Sequence, residues 1–111
     1  MNNKKLGTAF EQRVCDDLAA KGYWVHFIVP DARGAQPFDI IAAKDGIPLA
    51  CDCKTCVAGR FHINRLEDNQ IMAFELWLRC GNPDPVIAVE HLDEIHYLSY
   101  SELKEQRSIK L

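Results

Sequence analysis

An α/β domain with a mixed sheet and helices packed on it is the fold class this sequence predicts. Three observations carry that expectation. Near the N-terminus, apolar residues recur every four positions, as on one helix face. Several short segments are rich in β-branched and aromatic residues and alternate in polarity, as strands do. A second helical segment interrupts those strands, giving the order α-β-β-β-α-β-β.

The first helix is expected over residues 5–21. Leu6, Phe10, Val14 and Leu18 lie on one stripe, and Gly22 after Lys21 stops the helix. The segment YWVHFIV, residues 23–29, reads as a strand. A loop, PDARGAQP, follows, with a proline at each end. Strands are expected at about 38–44 and 47–55, joined as a hairpin around Asp45-Gly46. TCVAGRFHI reads as a connection with a short extended piece. Asn64 and Glu67 fit a capping box that opens a second helix at about 65–80, which Gly81 and Pro83 end. Strands at 85–91 and 94–100 and a short last helix over SELKEQ, with Ser101 as its cap, complete the chain.

The 111 residues fit one domain, 1–111, and no linker, repeat or low-complexity segment divides them. An apolar share of 48% supports a core. No apolar run approaches the roughly 20 residues that a membrane span requires, so no membrane partner is expected. MNNKKLGTAFEQRV has no apolar stretch before Glu11 and does not read as a signal peptide. Five cysteines, three of them crowded into CDCKTC, do not read as a secreted disulfide framework, and a cytoplasmic protein is expected.

Net charge is −3, which by itself argues against nucleic acid. The charge is unevenly spread. Residues 1–60 carry eight Lys/Arg and seven Asp/Glu, whereas residues 61–111 carry five and nine. Neutralising a few acids of the N-terminal half with metal leaves it basic, with Lys4, Lys5, Arg33, Lys44, Arg60 and Arg65 as candidate phosphate contacts.

The chemistry is expected at the hairpin. In LACDCK, Leu49, Cys51 and Cys53 share one strand face, and Asp52 and Lys54 share the other. In PFDII, Phe38 and Ile40 fall on one face and Asp39 on the opposite one. The hairpin brings Asp39 beside Asp52 and Lys54. Two carboxylates and an amine on a face otherwise lined by Ile41, Ala43 and Ala50 are hard to explain as a surface ion pair. They suit a hard dication, Mg²⁺ or Mn²⁺, held beside a proton-transfer group.

Pro37-Phe38-Asp39, twelve intervening residues, and Asp52-Cys53-Lys54 resemble the motif of the PD-(D/E)XK nuclease superfamily, although the proline stands two residues before the aspartate. Within it, the chain looks most like the small Holliday junction resolvases, of the archaeal type and of the RecU-like type of bacteria and phages. LGTAFEQRVCDDLAAKGYWV is similar to their opening helix and first strand. The loop before FDII, the DCK strand and the glutamine of EDNQIMAF also correspond, and the similarity runs over residues 4–90. The resemblance implies a restriction-endonuclease-like core. It also implies that Glu11 reaches the metal site, that the backbone carbonyl of Cys53 is a further ligand, and that Gln70 positions water or a phosphate oxygen. Glu11, Asp39 and Asp52 with the Cys53 carbonyl would then hold metal, and Lys54 would orient or deprotonate the attacking water. The implied activity is Mg²⁺-dependent cleavage of branched DNA, four-way junctions above all, leaving 5′-phosphates.

Arg33 and Gln36 belong to the loop overhanging the hairpin, and His62 lies near the expected cleft; all three are candidate DNA contacts. Trp24 and Tyr23 have the chemistry to stack on bases. The second helix carries Ile71, Met72, Ala73, Phe74, Leu76, Trp77 and Leu78 almost all the way round, more than one sheet face buries, so a homodimer is expected. Three other functions compete: a related nuclease for flaps, single strands or duplex DNA; a DNA-binding module of this fold without cleavage; and a cysteine-ligated metal protein. Against the last, only Cys53-x-x-Cys56 has a knuckle spacing, and Cys51 and Cys53 should face a helix-covered core.

Overall fold

The computed structural model describes residues 8–29 and 37–111. Helix α1 (Ala9–Ala20) is followed by β1 (Trp24–Phe27), β2 (Ile40–Lys44), β3 (Ile47–Thr55) and β4 (Arg60–His62). A 3₁₀ turn (Ile63–Arg65) leads to α2 (Asp68–Arg79). Strands β5 (Val86–His91) and β6 (Glu94–Ser99), helix α3 (Tyr100–Gln106) and β7 (Ser108–Lys110) close the chain. The main sheet has the order β1-β2-β3-β5-β6, and β4 pairs with β7 in a separate ribbon. Within the main sheet only β3 and β5 run parallel, so the sheet is mixed as expected. The segment between them, holding α2, makes the crossover that a parallel pair requires.

Helices cover both faces. Phe10, Val14 and Leu18 of α1 pack on Ile40, Ala42, Cys51 and Ala88. Phe74 of α2, with Tyr100 and Leu103 of α3, packs on Ala50, Ile87, Val89 and Leu98. Neighbouring strand residues thus serve opposite layers, which is the period-two alternation read from the sequence. Arg13 ties α1 to the β5–β6 turn through Glu90 at 2.8 Å and the Asp93 carbonyl at 2.9 Å. Tyr97 of β6 donates to Asp17 at 2.6 Å, and that bond, with Lys21, holds the Asp17 carboxyl below its ordinary pKa.

The β2–β3 hairpin turns at Asp45 (φ 54°) and Gly46 (φ 78°), the two left-handed residues of a type I′ turn. That turn sets the register Ile40↔Cys51 and Ile41↔Ala50.

Several boundaries differ from expectation, each for a local reason. Phe38 does not share a face with Ile40. It precedes β2, and its ring stacks on Phe74 at 5.5 Å and meets Trp77 edge-on at 5.4 Å, in the α2 layer. The capping box of α2 lies three residues later than Asn64–Glu67: Glu67 is the cap and Gln70 its reciprocal partner, while Ile63–Arg65 form the 3₁₀ turn. Ser99, not Ser101, caps α3, because Asp84 takes the Ser101 hydroxyl and amide. Strand β7 went unforeseen because its pairing with β4 joins residues 48 apart or so, beyond the reach of local pattern.

Phe74 is fully buried between Phe38 and Tyr100. Phe74→Ala is expected to lower unfolding free energy by about 3–5 kcal/mol in denaturant titrations. A loss under 1 kcal/mol would contradict this packing.

Candidate active site

Strand β3 divides its side chains as its pleat dictates. Cys51 and Cys53 lie in the α1 layer, and Ala50 in the α2 layer with Ile41 of β2. By the same alternation Asp52 and Lys54 fall on the α2 face of β3, whereas Asp39 lies in a bend just before β2, outside the regular alternation. The β2–β3 ladder ends at Ile40↔Cys51. At the next position the two acids join the strands through their side chains. The Asp39 amide donates to Asp52 Oδ1 at 3.1 Å and to the Cys51 carbonyl at 3.2 Å. The Cys53 amide donates to Asp39 Oδ2 at 2.8 Å. Each carboxylate is therefore held by the backbone of the opposite strand.

Asp52 is 2% exposed and is the one buried charged residue among the described residues. Its Oδ2 has no hydrogen-bond partner among them. Burial, and then the neighbouring charge of Asp39, push its pKa up to about 7, against the opposing pull of Lys54 and the Asp39 amide. A buried, half-satisfied carboxyl beside a second carboxyl is unfavourable unless something positive joins it.

Lys54 is half-buried and makes no ion pair or hydrogen bond with a described residue. It lines a hollow of about 240 Å³ with Thr8, Phe10, Glu11, Cys53, Thr55 and Arg65. Glu11 comes there from the head of α1. Thr8 Oγ1 accepts from the Glu11 amide at 3.2 Å, and the Thr8 amide donates to Glu11 Oε1 at 2.6 Å. This capping box fixes where Glu11 stands. Arg65 donates to the Thr55 carbonyl at 2.8 Å, and its guanidinium lies over the Phe61 ring at 5.4 Å.

Asp39 and Asp52 thus meet directly, and Glu11, Lys54 and Arg65 meet around the hollow. Neither aspartate lines it; Lys54 links the two groups by acting on Asp52. Among the described residues no group of three or more His, Cys, Asp or Glu side chains is placed to hold a metal. Glu11 therefore stands near the acid pair without completing a three-carboxylate cluster. Gln70 uses its side-chain oxygen to accept from the Glu67 amide at 2.9 Å, which gives it a capping task. Arg60 bonds Ser108 Oγ at 3.1 Å on the β4–β7 ribbon, and His62 is exposed beside it. Lys4, Lys5, Arg33 and Gln36 lie outside the described residues. Thr8 and Thr55 were not singled out from the sequence. The spacing Thr8-x-x-Glu11 is a capping-box signal that points to the first; nothing local marks the second.

The thiols sit behind this site. The Cys53 pKa is raised by a hydrogen bond with Cys51 and by burial, and burial also raises that of Cys15. Those two groups remain neutral thiols at pH 7 and pack as small apolar side chains.

No protein-family model matches the chain, and no curated protein matches it by sequence. Among solved structures it is similar to Hjc of Archaeoglobus fulgidus, a Holliday junction resolvase from an archaeal hyperthermophile. The TM-score is 0.68 at 18% identity, over 93% of this chain and 85% of that one. A second structure, of the protein SSO0001, overlaps 85% of this chain and 50% of that one at 14% identity, with a TM-score of 0.44, too low to bear on the fold. The likeness to Hjc is one of fold: this chain has the mixed-sheet α/β architecture of that structure.

The raised pKa of Asp52 has a definite sign. Its folded pKa stands above the unfolded one, so the associated stability is fully present below about pH 4 and is lost as pH rises through about 7. In metal-free buffer, Asp52→Asn is expected to gain stability relative to the parent between pH 5 and pH 8, by an amount on the order of 3 kcal/mol. Paired denaturant melts at the two pH values measure it. A pH-independent difference would mean that Asp52 ionises normally.

Proposed function

We propose that this chain is a metal-dependent endonuclease that cleaves phosphodiester bonds in branched DNA, four-way junctions above all, and that it works as a homodimer. One observation carries the reading. On a fold like that of the resolvase, two carboxyls are forced together, one of them buried with an oxygen that has no partner among the described residues, and a lysine without an ion pair to any described residue stands beside them.

The donor set fits a hard dication. The uncommitted Oδ2 of Asp52 and the repulsion from Asp39 are what such an ion relieves. Asp39 and Asp52 would hold it, with the Cys53 carbonyl, and with Glu11 directly or through water. Mg²⁺ suits a site with few protein ligands because it keeps several waters; Mn²⁺ would substitute. When bound, the ion supplies charge stabilisation at the scissile phosphate. The chain's own groups do the rest. Lys54 orients or deprotonates the attacking water and balances charge developing on the phosphate. Glu11 is fixed by the α1 cap within the same hollow, where it can take part in ordering water. Gln70 contributes through its amide nitrogen, since its oxygen is engaged in the cap. Arg60, His62 and Arg65, with Lys4, Lys5, Arg33 and Gln36, bind phosphates.

The homodimer reading rests on α2. Met72 is 71% exposed and Leu76 57%, one turn apart, and with Ile71 and Ala73 they line a shallow apolar hollow that no described element covers. Two copies joined there would present two sites to two opposed strands, as symmetric resolution needs. No helix among the described residues is long and apolar enough to cross a membrane. We place the protein with DNA in the cytoplasm, a host's if the gene is viral.

A synthetic four-way junction, a flap and a linear duplex, each with Mg²⁺ or EDTA, test the activity. The junction is expected to be cut in Mg²⁺ alone, and Asp52→Asn to lower the rate at least about 100-fold with DNA binding retained. Equal cutting of all three substrates supports the broader nuclease reading over the resolvase. Cleavage by Asp52→Asn at the parent rate removes Asp52 from the chemistry.

Leu76→Glu is expected to shift the protein from dimer to monomer in sedimentation equilibrium, with unchanged folding, because the side chain is mostly exposed in a single copy. A parent protein that is already monomeric at micromolar concentration refutes the interface.

A further inference from the structure

From the end of β3 to the start of β4 the chain reads Lys54-Thr55-Cys56-Val57-Ala58-Gly59-Arg60: a cation on each strand and no charge between. Val57 is 98% exposed, the most exposed large apolar side chain among the described residues. Single exposed valines are common. What sets this one apart is how firmly its loop is fastened. The Cys56 amide donates to the Glu90 carbonyl at 2.8 Å, and the Cys56 carbonyl contacts His91 Nδ1 at 3.0 Å. The Cys56 thiol reaches back to the Ala58 carbonyl at 3.2 Å and the Arg60 carbonyl at 3.6 Å. The Leu111 amide holds the Gly59 carbonyl at 2.9 Å, and Arg65 holds that of Thr55 at 2.8 Å. Every carbonyl from Thr55 to Arg60 except that of Val57 is thus engaged by a bond named here or by the β4 ladder. The loop holds a stiff β-branched side chain out in solvent. Thr55, two residues earlier, lines the hollow shared by Lys54, Glu11 and Arg65.

We propose that Val57 is a wedge that enters the gap between base steps at a DNA branch point, while Lys54, Arg60 and Arg65 hold the phosphates on either side. Apolar side chains inserted between steps unstack them, and flanking cations anchor the strand. Insertion is far less unfavourable where stacking is already interrupted, so a wedge favours a branch over continuous duplex. This rests on the nuclease reading above and adds to it how a branch is recognised.

The test uses the full chain in EDTA, with 2-aminopurine beside the branch of a four-way junction. The base brightens on unstacking. Binding of the parent is expected to raise its emission severalfold, and Val57→Ser to abolish most of that rise. Val57→Ser should also weaken junction binding about tenfold, leave affinity for linear duplex unchanged, and leave the salt dependence of binding unchanged because no charge is altered. Val57→Leu should restore both signals. The side chain is 98% exposed, so these variants are expected to fold as the parent does, and circular dichroism melts matching the parent check it. An equal rise in emission with Val57→Ser, or an equal loss on duplex, overturns the wedge while the nuclease reading stands. A parent protein that binds junction and duplex alike overturns the wedge and the junction preference, whereas one that cuts no DNA in Mg²⁺ overturns the nuclease reading itself.

Discussion

Two side-chain-to-backbone hydrogen bonds, from the Asp39 amide to Asp52 Oδ1 and from the Cys53 amide to Asp39 Oδ2, are the constraint on which the rest of the site depends. At the end of the β2–β3 ladder, each carboxylate accepts an amide from the opposite strand, and the Asp39 amide also keeps a bond to the Cys51 carbonyl. The strands remain joined although their pairing has ended. These bonds hold two like charges together with one of them buried, which is why Asp52 resists ionisation. A fold that merely needed a stable hairpin would be better served by apolar residues there. The arrangement makes sense as a structure awaiting a positive charge.

The surrounding layers hold that strained pair in place. The Asp45-Gly46 turn fixes which residue of β2 faces which residue of β3, and a slip of one position would part the two acids. Helix α1 seals the cysteine face of β3 and, through the Thr8–Glu11 cap, sets the Glu11 carboxylate in the hollow beside Lys54. Strand β3 lies inside the sheet between β2 and β5, with helices on both faces, and Asp52 near its middle is shut off from water. Core packing and electrostatics are here one design: the same burial that stabilises Ala50 and Cys51 raises the Asp52 pKa.

The β4–β7 ribbon extends the molecule beyond its sheet. It fastens the C-terminal residues to the segment that follows the DCK strand, so the loop after Lys54 is anchored by Leu111 and Arg65 as well as by β5. Arg60 and His62 therefore sit on a fixed ribbon, and Arg65 just after it lines the hollow. Under the proposed function, that ribbon is where the DNA backbone departing from the cleavage point would rest.

The alternation in LACDCK and the Asp-Gly turn were enough to place Asp52 and Lys54 on one face of a hairpin strand with Asp39 beside Asp52, because strand period and turn geometry are local properties of the chain. The α1 stripe and the wrap-around apolar character of α2 were equally legible, for the helix period is local too. Tertiary contacts decided what local pattern does not encode. Phe38 changed layers because Phe74 and Trp77 offered it an aromatic pocket. Gln70 became a cap because the 3₁₀ turn at Ile63–Arg65 moved the start of α2. The pairing of β4 with β7, the anchoring of the Val57 loop and the depth at which Asp52 lies all arise between residues distant in sequence, and only the folded chain brings them together.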